Sequence, residues 1–189
     1  MSRFAFARTF VRRMAELDRP ARAKLRRGLA FRPGEHIESI SVVEPWIHPD
    51  AYQSERAAFY IVAGLMARDN DIILPKVEAD DDGETDRDMG FSVRLLFKLS
   101  DESPSIERRF LAVLDSDLEQ LPSRLGTLVS YVRSKGVAIS YAVLLKDLQH
   151  WTDPLRRTQL RWAKSFYAAH EPNDDARNQP SQPSEGEQS

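Results

Sequence analysis

Arginine and lysine side chains on predicted helices are the residues of this sequence best suited to chemistry, and that chemistry is the binding of phosphates. Residues 19–32 carry six basic residues and no acidic one, so pairing one helical turn apart cannot neutralise them. Further along the chain, Arg157, Arg161 and Lys164 recur at i, i+4 and i+7, which forms a stripe about 10 Å long on a helix. Arginine outnumbers lysine, and this favours bidentate phosphate contacts.

Charge is distributed in blocks along the chain, although the formal net charge is only −2. Residues 1–32 carry ten Lys/Arg against two acids, residues 69–88 carry two against nine, and residues 104–170 carry ten against six. Two basic segments separated by an acidic one predict a single exposed surface that binds a polyanion. The candidate binding residues are Arg22, Lys24, Arg26, Arg27, Arg108, Arg109, Arg124, Arg133, Lys135, Arg156, Arg157, Arg161 and Lys164.

The elements that must position these residues are helices. The first helix has four apolar residues on one face, Phe6, Phe10, Met14 and Leu17. Asp18 can cap a second helix that ends near Gly28. Residues 36–49 show no clean period, which predicts an irregular stretch, whereas residues 51–68 are apolar on most faces, which predicts a central, buried helix. Residues 91–99 form a shorter helix candidate.

Start signals and apolar periodicity define four more helices. Pro104 and Pro122 lie in the first turns of two of them, Ser140 caps the third, and Asp153 with Pro154 opens the last. The residues predicted to face inward are Ile106, Phe110, Val113 and Leu114, then Leu125, Leu128, Val129 and Val132, and finally Leu155, Trp162 and Phe166.

These signals predict an all-α fold, a helical bundle of two lobes. Residues 1–100 form the N-terminal helical lobe, with an acidic, solvated loop at 78–88, and residues 101–170 form the C-terminal helical bundle. Residues 171–189 are rich in Pro, Ser, Gln and Glu and have one apolar side chain, so we expect a disordered tail.

Several classes of function are excluded or disfavoured. The absence of cysteine excludes disulfides, thiolate metal sites and a cysteine nucleophile. An EF-hand register beginning at Glu78 places Met89 where the bidentate Glu is needed, so we expect no metal site and no cofactor. No hydrolase, P-loop or dinucleotide motif occurs, and Asp147 with His150 is explained more simply by helix hydrogen bonding or capping than by acid–base chemistry, so we predict no enzyme activity.

No apolar run reaches the roughly 20 residues that span a bilayer, and we expect a cytoplasmic protein that binds no membrane.

The aromatic residues offer a second way to bind nucleic acid. Trp151 and Trp162 could stack on bases, but Trp162 falls on an apolar stripe, and we predict that both pack in the core. Trp46 stands between two prolines and is open to two interpretations, a loop anchor or a contact with a partner.

Four segments, in this order and at these separations, resemble the CasB family, the small subunit of the type I-E CRISPR surveillance complex Cascade. They are ARAKLRRGL at 21–29, IERRFL at 106–111, LLKDLQHW at 144–151 and RWAKSFY at 161–167. The resemblance covers about residues 5–168 and leaves out the tail, and it says nothing about the acidic loop.

The resemblance implies a non-catalytic, all-α subunit of two lobes, present as two copies in a ribonucleoprotein. Its expected partners are the crRNA and target DNA, other Cascade subunits and a second copy of itself. Basic residues would hold the target strand and the displaced strand of the R-loop by backbone contacts, because base pairing to the guide reads the sequence. The residues that match the motifs are Arg22, Lys24, Arg26, Arg27, Arg108, Arg109, Arg161 and Lys164, whereas the other candidates rest on charge alone.

Two alternatives remain open on the sequence alone. The chain could be a protein-only interaction module whose basic face binds an acidic partner. It could also be a metal-dependent nuclease that uses Asp80, Asp81 and Asp82, although their spacing does not bring carboxylates together at one cavity.

Overall fold

The computed structural model describes residues 3–69 and 87–168, and in those ranges the chain is helical without strands. The all-α prediction is therefore confirmed. The α-helices are α1 (Arg3–Ala15), α2 (Arg19–Gly28), α3 (Ile37–Val43), α4 (Gln53–Arg68), α5 (Met89–Lys98), α6 (Pro104–Leu114), α7 (Leu121–Ser134), α8 (Tyr141–Gln149) and α9 (Arg157–Tyr167), and a short 3₁₀ turn, Glu44–Trp46, follows α3.

Helix α4 is the central helix of the bundle. Every residue from Ala57 to Ala67 is buried, so the helix is enclosed on all sides, as its apolar composition predicts. Helix α2 packs against it, with Leu29 seated over Gly64. A methyl group at position 64 would stand 2.4 Å from Leu29 Cγ, so the close approach of the two segments requires glycine there.

The predicted helix starts are confirmed in most places. The Asp18 carboxylate accepts a hydrogen bond of 2.8 Å from the Ala21 amide at the start of α2, and Ser140 Oγ accepts one from the Val143 amide at the start of α8. Helix α6 begins at Pro104, as predicted. The residues predicted to face inward on α6 and α7 are all buried.

The stretch predicted to be irregular, residues 36–49, is instead helix α3 followed by the 3₁₀ turn, so that prediction was wrong. Its helix has only two buried residues, Ser39 and Val43, which is too few to give a sequence period. Trp46 packs on Phe6 and Phe10, with ring centroids 5.9 and 5.7 Å away, so it anchors this segment to α1.

The last helix also begins later than predicted. Asp153 forms a local turn by accepting a hydrogen bond from the Leu155 amide, and Arg156 adopts a left-handed conformation with φ of 50°. The chain therefore turns before it becomes helical at Arg157. Leu155, which was predicted to face inward, is exposed.

The surroundings of Asp88 also differ from the prediction. It lies at the end of the segment predicted to be a solvated loop, yet its side chain is buried and caps α5 by accepting a hydrogen bond of 3.0 Å from the Phe91 amide. Residues 78–86 and the tail at 171–189 lie outside the described residues.

Buried side chains from both halves of the chain form one core. Helix α8 packs against α1 and α4, and α5 packs against α9, α6 and α7. Trp151 and Trp162 are both buried in this core with their rings 5.2 Å apart, as predicted. The division into lobes at residues 1–100 and 101–170 stays a prediction about the organisation of the chain.

Candidate nucleic-acid interface

The cations of α2 lie on two different sides of the helix. Arg22 and Arg26 are one turn apart, and the half-buried Arg22 donates a hydrogen bond of 2.7 Å to the Asp69 carbonyl oxygen at the end of α4. Arg27 lies on the side that faces α3, where it forms an ion pair of 2.6 Å with Glu38. The hydrogen bond from Arg27 lowers the pKa of Glu38, and the nearby charge of Lys24 lowers it further.

Arg133 is engaged inside the protein. Only 17% of its side chain is exposed, and its Nε lies 2.7 Å from a carboxylate oxygen of Asp69. The same carboxylate oxygen accepts a hydrogen bond from the Tyr141 hydroxyl at the start of α8. We call Arg22, Arg68, Asp69, Arg133 and Tyr141 the Asp69 junction, because they join α2, α4, α7 and α8.

Arg124 and Arg156 both bind the C-terminal end of α6. Arg124 Nη1 donates a hydrogen bond of 2.8 Å to the Ala112 carbonyl oxygen, and Arg156 Nη2 donates one of 2.7 Å to the Leu114 carbonyl oxygen. Arg156 also forms an ion pair with Asp115 at 3.0 Å. The last carbonyl groups of a helix lack partners within it and carry negative partial charge, so these two arginines serve as a cap.

The stripe on α9 is present, and two of its three members are paired. Arg157 forms an ion pair of 2.8 Å with Asp153, while Arg161 binds the Asp147 carboxylate through Nη2 and lies 3.6 Å from that of Asp88. Lys164 is exposed and unpaired among the residues that the structure describes.

Asp147 is the centre of a buried polar network. Its carboxylate, 3% exposed, accepts hydrogen bonds from Arg161 and, at 2.7 Å, from the Trp162 indole nitrogen. Asp88 joins through a hydrogen bond of 2.8 Å from the Ser165 hydroxyl. Burial raises the pKa of Asp147, and this outweighs the lowering effects of Trp162 and Arg161. We call Asp88, Asp147, Arg161, Trp162 and Ser165 the Asp147 network.

The remaining candidate residues are available to a ligand. The following side chains are exposed and have no hydrogen bond or ion pair within residues 3–69 and 87–168: Arg26, Arg108, Arg109, Lys135 and Lys164. Lys24 is half-buried and lies near Glu38. An exposed cation without a carboxylate partner retains its full charge for a polyanion, whereas a paired one must first give up its partner.

Sequence reasoning missed three further arginines. Arg68, the last residue of α4, is exposed and lies over Gly126 of α7. Arg87 and Arg94 flank the ring of Phe91, with guanidinium carbons 4.5 and 4.9 Å from its centroid, which are cation–π distances. Arg87 precedes the Asp88 cap of α5, whereas Phe91 and Arg94 are three residues apart on the helix, and that pair alone could have pointed to this group.

The structure assigns no role to the candidate acid–base pair. The Asp147 carboxylate is held in its buried network, and the exposed His150 meets residue 147 through a backbone hydrogen bond. His150 lines a cleft of about 690 Å³ between the start of α4 and the α8–α9 connection, together with Arg157 and Arg161.

Metal binding and membrane insertion gain no support from the described part of the chain. Within residues 3–69 and 87–168, no three histidine or acidic side chains converge as metal ligands. No helix in the same ranges has the length and apolar character needed to cross a bilayer. The nuclease alternative rests on Asp80, Asp81 and Asp82, which lie outside the described residues.

The chain is similar to proteins of one family over most of its length. The family model of the CRISPR-associated protein Cse2 matches residues 21–167. A Cse2 protein from Thermus thermophilus is 38% identical over 150 residues, which is 79% of each chain. The structure of CasB from M. ruber has a TM-score of 0.70 at 31% identity and covers 88% of this chain and 93% of its own. A chain from the pre-nicking state of a CRISPR RNA-guided surveillance complex has a TM-score of 0.68 at 26% identity, with 86% and 92% covered.

Proposed function

The chain belongs to the CRISPR-associated Cse2 family, and from that membership we propose that it is a non-catalytic subunit of an RNA-guided surveillance complex. The observation that carries this proposal is the match to the Cse2 family model over residues 21–167, joined to the likeness with a chain of a surveillance complex. In such a complex the subunit works in the cytoplasm beside the other Cascade subunits and a second copy of itself.

The nucleic-acid role that we propose is to hold sugar-phosphate backbones without reading bases. The crRNA paired with target DNA replaces a DNA duplex of nearly equal stability, so contacts to the backbone of the R-loop and of the displaced strand can decide the balance. Exposed cations that have no partner among residues 3–69 and 87–168 suit this role, and they lie on α2, α6, α9 and at the end of α7: Arg26, Arg108, Arg109, Lys135 and Lys164.

The candidate residues that are paired inside the protein contribute less to this proposal. Arg124 and Arg156 cap α6, and Arg133 and Arg161 bind internal carboxylates. These bonds explain their presence without a ligand. A phosphate contact from any of them would be additional to this structural role, as it would for Arg22, Arg27 and Arg157, so the proposal depends mainly on the unpaired group.

A salt series on the purified full chain tests this role. We expect it to bind a mixed-sequence DNA strand with an association constant that falls steeply as salt rises. Loss of affinity on the order of 10³-fold between 50 and 200 mM salt would correspond to about seven phosphate contacts on a single strand. The double variant Arg26→Gln/Arg109→Gln should lower the slope of the salt dependence by about 1.4, the loss of two contacts to a single strand, whereas Arg13→Gln, which opens an exposed ion pair with Glu16, should leave it unchanged.

The alternative of a protein-only module gives a different result. In that case the chain would bind no nucleic acid even at low salt, and it would co-purify with an acidic protein partner after nuclease treatment. Salt-independent binding, or a slope that the double variant leaves unchanged, would contradict the role that we propose for the unpaired cations.

A further inference from the structure

The C-terminal end of α4 is crowded with positive charge from three different helices. Arg22 of α2 donates to the Asp69 carbonyl oxygen, and Arg133 of α7 pairs with the Asp69 carboxylate. Arg68 adds a third guanidinium. The sequence gives no sign of this juxtaposition, because these residues come from segments more than 40 positions apart in the chain, as the separation of 47 between Arg22 and Asp69 illustrates.

One carboxylate cannot neutralise this group. Asp69 is already shared between Arg133 and the Tyr141 hydroxyl, and the carbonyl oxygen of Asp69 is occupied by Arg22. Arg68 has no ion pair or hydrogen bond within the described ranges. Its charge is therefore not compensated by any described side chain.

The surroundings of Arg68 favour a ligand over an internal partner. Its Nη1 lies over Gly126, where an added methyl group would stand 2.9 Å away, so the absence of a side chain on α7 leaves space for the guanidinium. Two other exposed cations, unpaired within the described ranges, lie on α2 and at the end of α7, the helices that carry Arg22 and Arg133. Arg26 lies one turn beyond Arg22 on α2, and Lys135 lies two residues beyond Arg133 at the end of α7.

We propose that the end of α4 is a phosphodiester-binding site in which Arg68 contacts the backbone directly and Arg26 and Lys135 contact the neighbouring phosphates. Asp69 is the positioning residue of this site, because it fixes Arg133 and the end of α4 in place. The inference rests on the proposed function, and it adds a site and a principal residue that the sequence motifs do not contain.

The site can be tested on the full chain with single substitutions of Arg68. Arg68→Gln should weaken binding of a mixed-sequence DNA strand, about 30 nucleotides long, about tenfold at about 50 mM salt and lower the slope of the salt dependence by about one, the loss of one phosphate contact. Arg68→Lys should retain the slope, because the contact is to charge. Thermal unfolding of both variants should match that of the unsubstituted chain.

Arg32→Gln is the matched control, because it removes the same charge from an arginine already paired with Glu119 at 2.6 Å. Glu119 lies seven residues before Gly126, over which the Arg68 guanidinium lies, so the control is about 10 Å along the axis of α7 from Arg68 and about 21 Å from Lys135. If Arg68→Gln binds like Arg32→Gln, or if it unfolds the chain, the site is wrong and the proposed function stands. If the unsubstituted chain binds no strand at low salt, the proposed nucleic-acid role itself fails.

Discussion

The Asp147 network and the Asp69 junction use the same residue types to opposite effect. In the network, two buried carboxylates receive one arginine, one indole and one hydroxyl, and the group is closed within α5, α8 and α9. In the junction, one carboxylate meets Arg133 and Tyr141 while Arg68 is left without a described partner. The ratio of carboxylates to guanidiniums therefore separates a structural group from one that retains charge for a ligand.

The Asp147 network and Arg68 of the Asp69 junction also differ in burial. Asp147 and Trp162 are enclosed, so the Asp147 carboxylate and the Trp162 indole nitrogen need partners inside the protein. Arg68 is exposed, so water can solvate its charge, and at the site that we propose a polyanion would replace that water. The arginines of this sequence therefore fall into two groups, those held by internal carboxylates and those that our proposal assigns to binding.

A glycine-to-alanine substitution should affect stability most unequally when it is made beside the Asp147 network and at the Asp69 junction. Gly90→Ala would place a methyl group 2.0 Å from the Trp162 carbonyl oxygen, a backbone atom that cannot move unless α5 and α9 separate. We expect it to lower the free energy of unfolding by at least about 3 kcal/mol, because overpacking of this kind displaces backbone. Urea unfolding monitored by circular dichroism measures the loss.

Gly126→Ala is its counterpart at the junction. The added methyl group would meet the mobile end of Arg68 at 2.9 Å, and that side chain can shift into solvent. We expect a change between zero and a gain of about 1 kcal/mol, since alanine favours the helix more than glycine does. Equal losses at positions 90 and 126 would contradict the distinction between a closed region and an open one.

Removal of the central carboxylate should have the next largest effect. Asp147→Ala leaves the buried Trp162 indole nitrogen without its acceptor and separates Arg161 from its closer carboxylate. Since Arg161 is half exposed and water can solvate it, we expect a loss of about 2–3 kcal/mol in urea unfolding. Glu16→Ala, which opens the exposed pair with Arg13, should cost under about 1 kcal/mol, and an equal loss would show that the network is not a structural centre.

The helical fold was largely predictable because its signals are local. Proline and serine near helix starts, together with apolar residues three and four positions apart, identified α6, α7 and α8, and the inward residues of α6 and α7 are buried. Helix α3 was missed because only Ser39 and Val43 are buried on it, which leaves no period to detect. The start of α9 was misplaced because the left-handed conformation of Arg156 has no signature in its side chain.

The interface was less predictable, because the pairing of charges is a tertiary property. Arg26 and Arg27 are neighbours in one motif, yet the structure pairs Arg27 with Glu38 and leaves Arg26 unpaired within the described ranges. The charge stripe on α9 is real, but the carboxylates that neutralise Arg161 come from α8 and from the cap of α5. Spacing within a helix cannot show which residues another helix brings near.

The smallest effect that we predict concerns the pH dependence of stability, to which the Asp147 and Glu44 carboxylates should contribute with opposite signs. Burial raises the pKa of Asp147 above its ordinary 3.8, so the folded chain holds a proton that the unfolded chain releases. The stability of the unsubstituted chain relative to Asp147→Asn should therefore fall as pH rises from about 3.8 through the raised pKa.

The hydrogen bond from Arg56 instead lowers the pKa of Glu44 below its ordinary 4.5, so stability relative to Glu44→Gln should be lost as pH falls below about 4.5. Urea midpoints of the three proteins between about pH 3 and 7 measure both slopes. If the two slopes have the same sign, burial does not dominate at Asp147, and its ion pair with Arg161 would instead stabilise the charged form, as the bond from Arg56 does for Glu44.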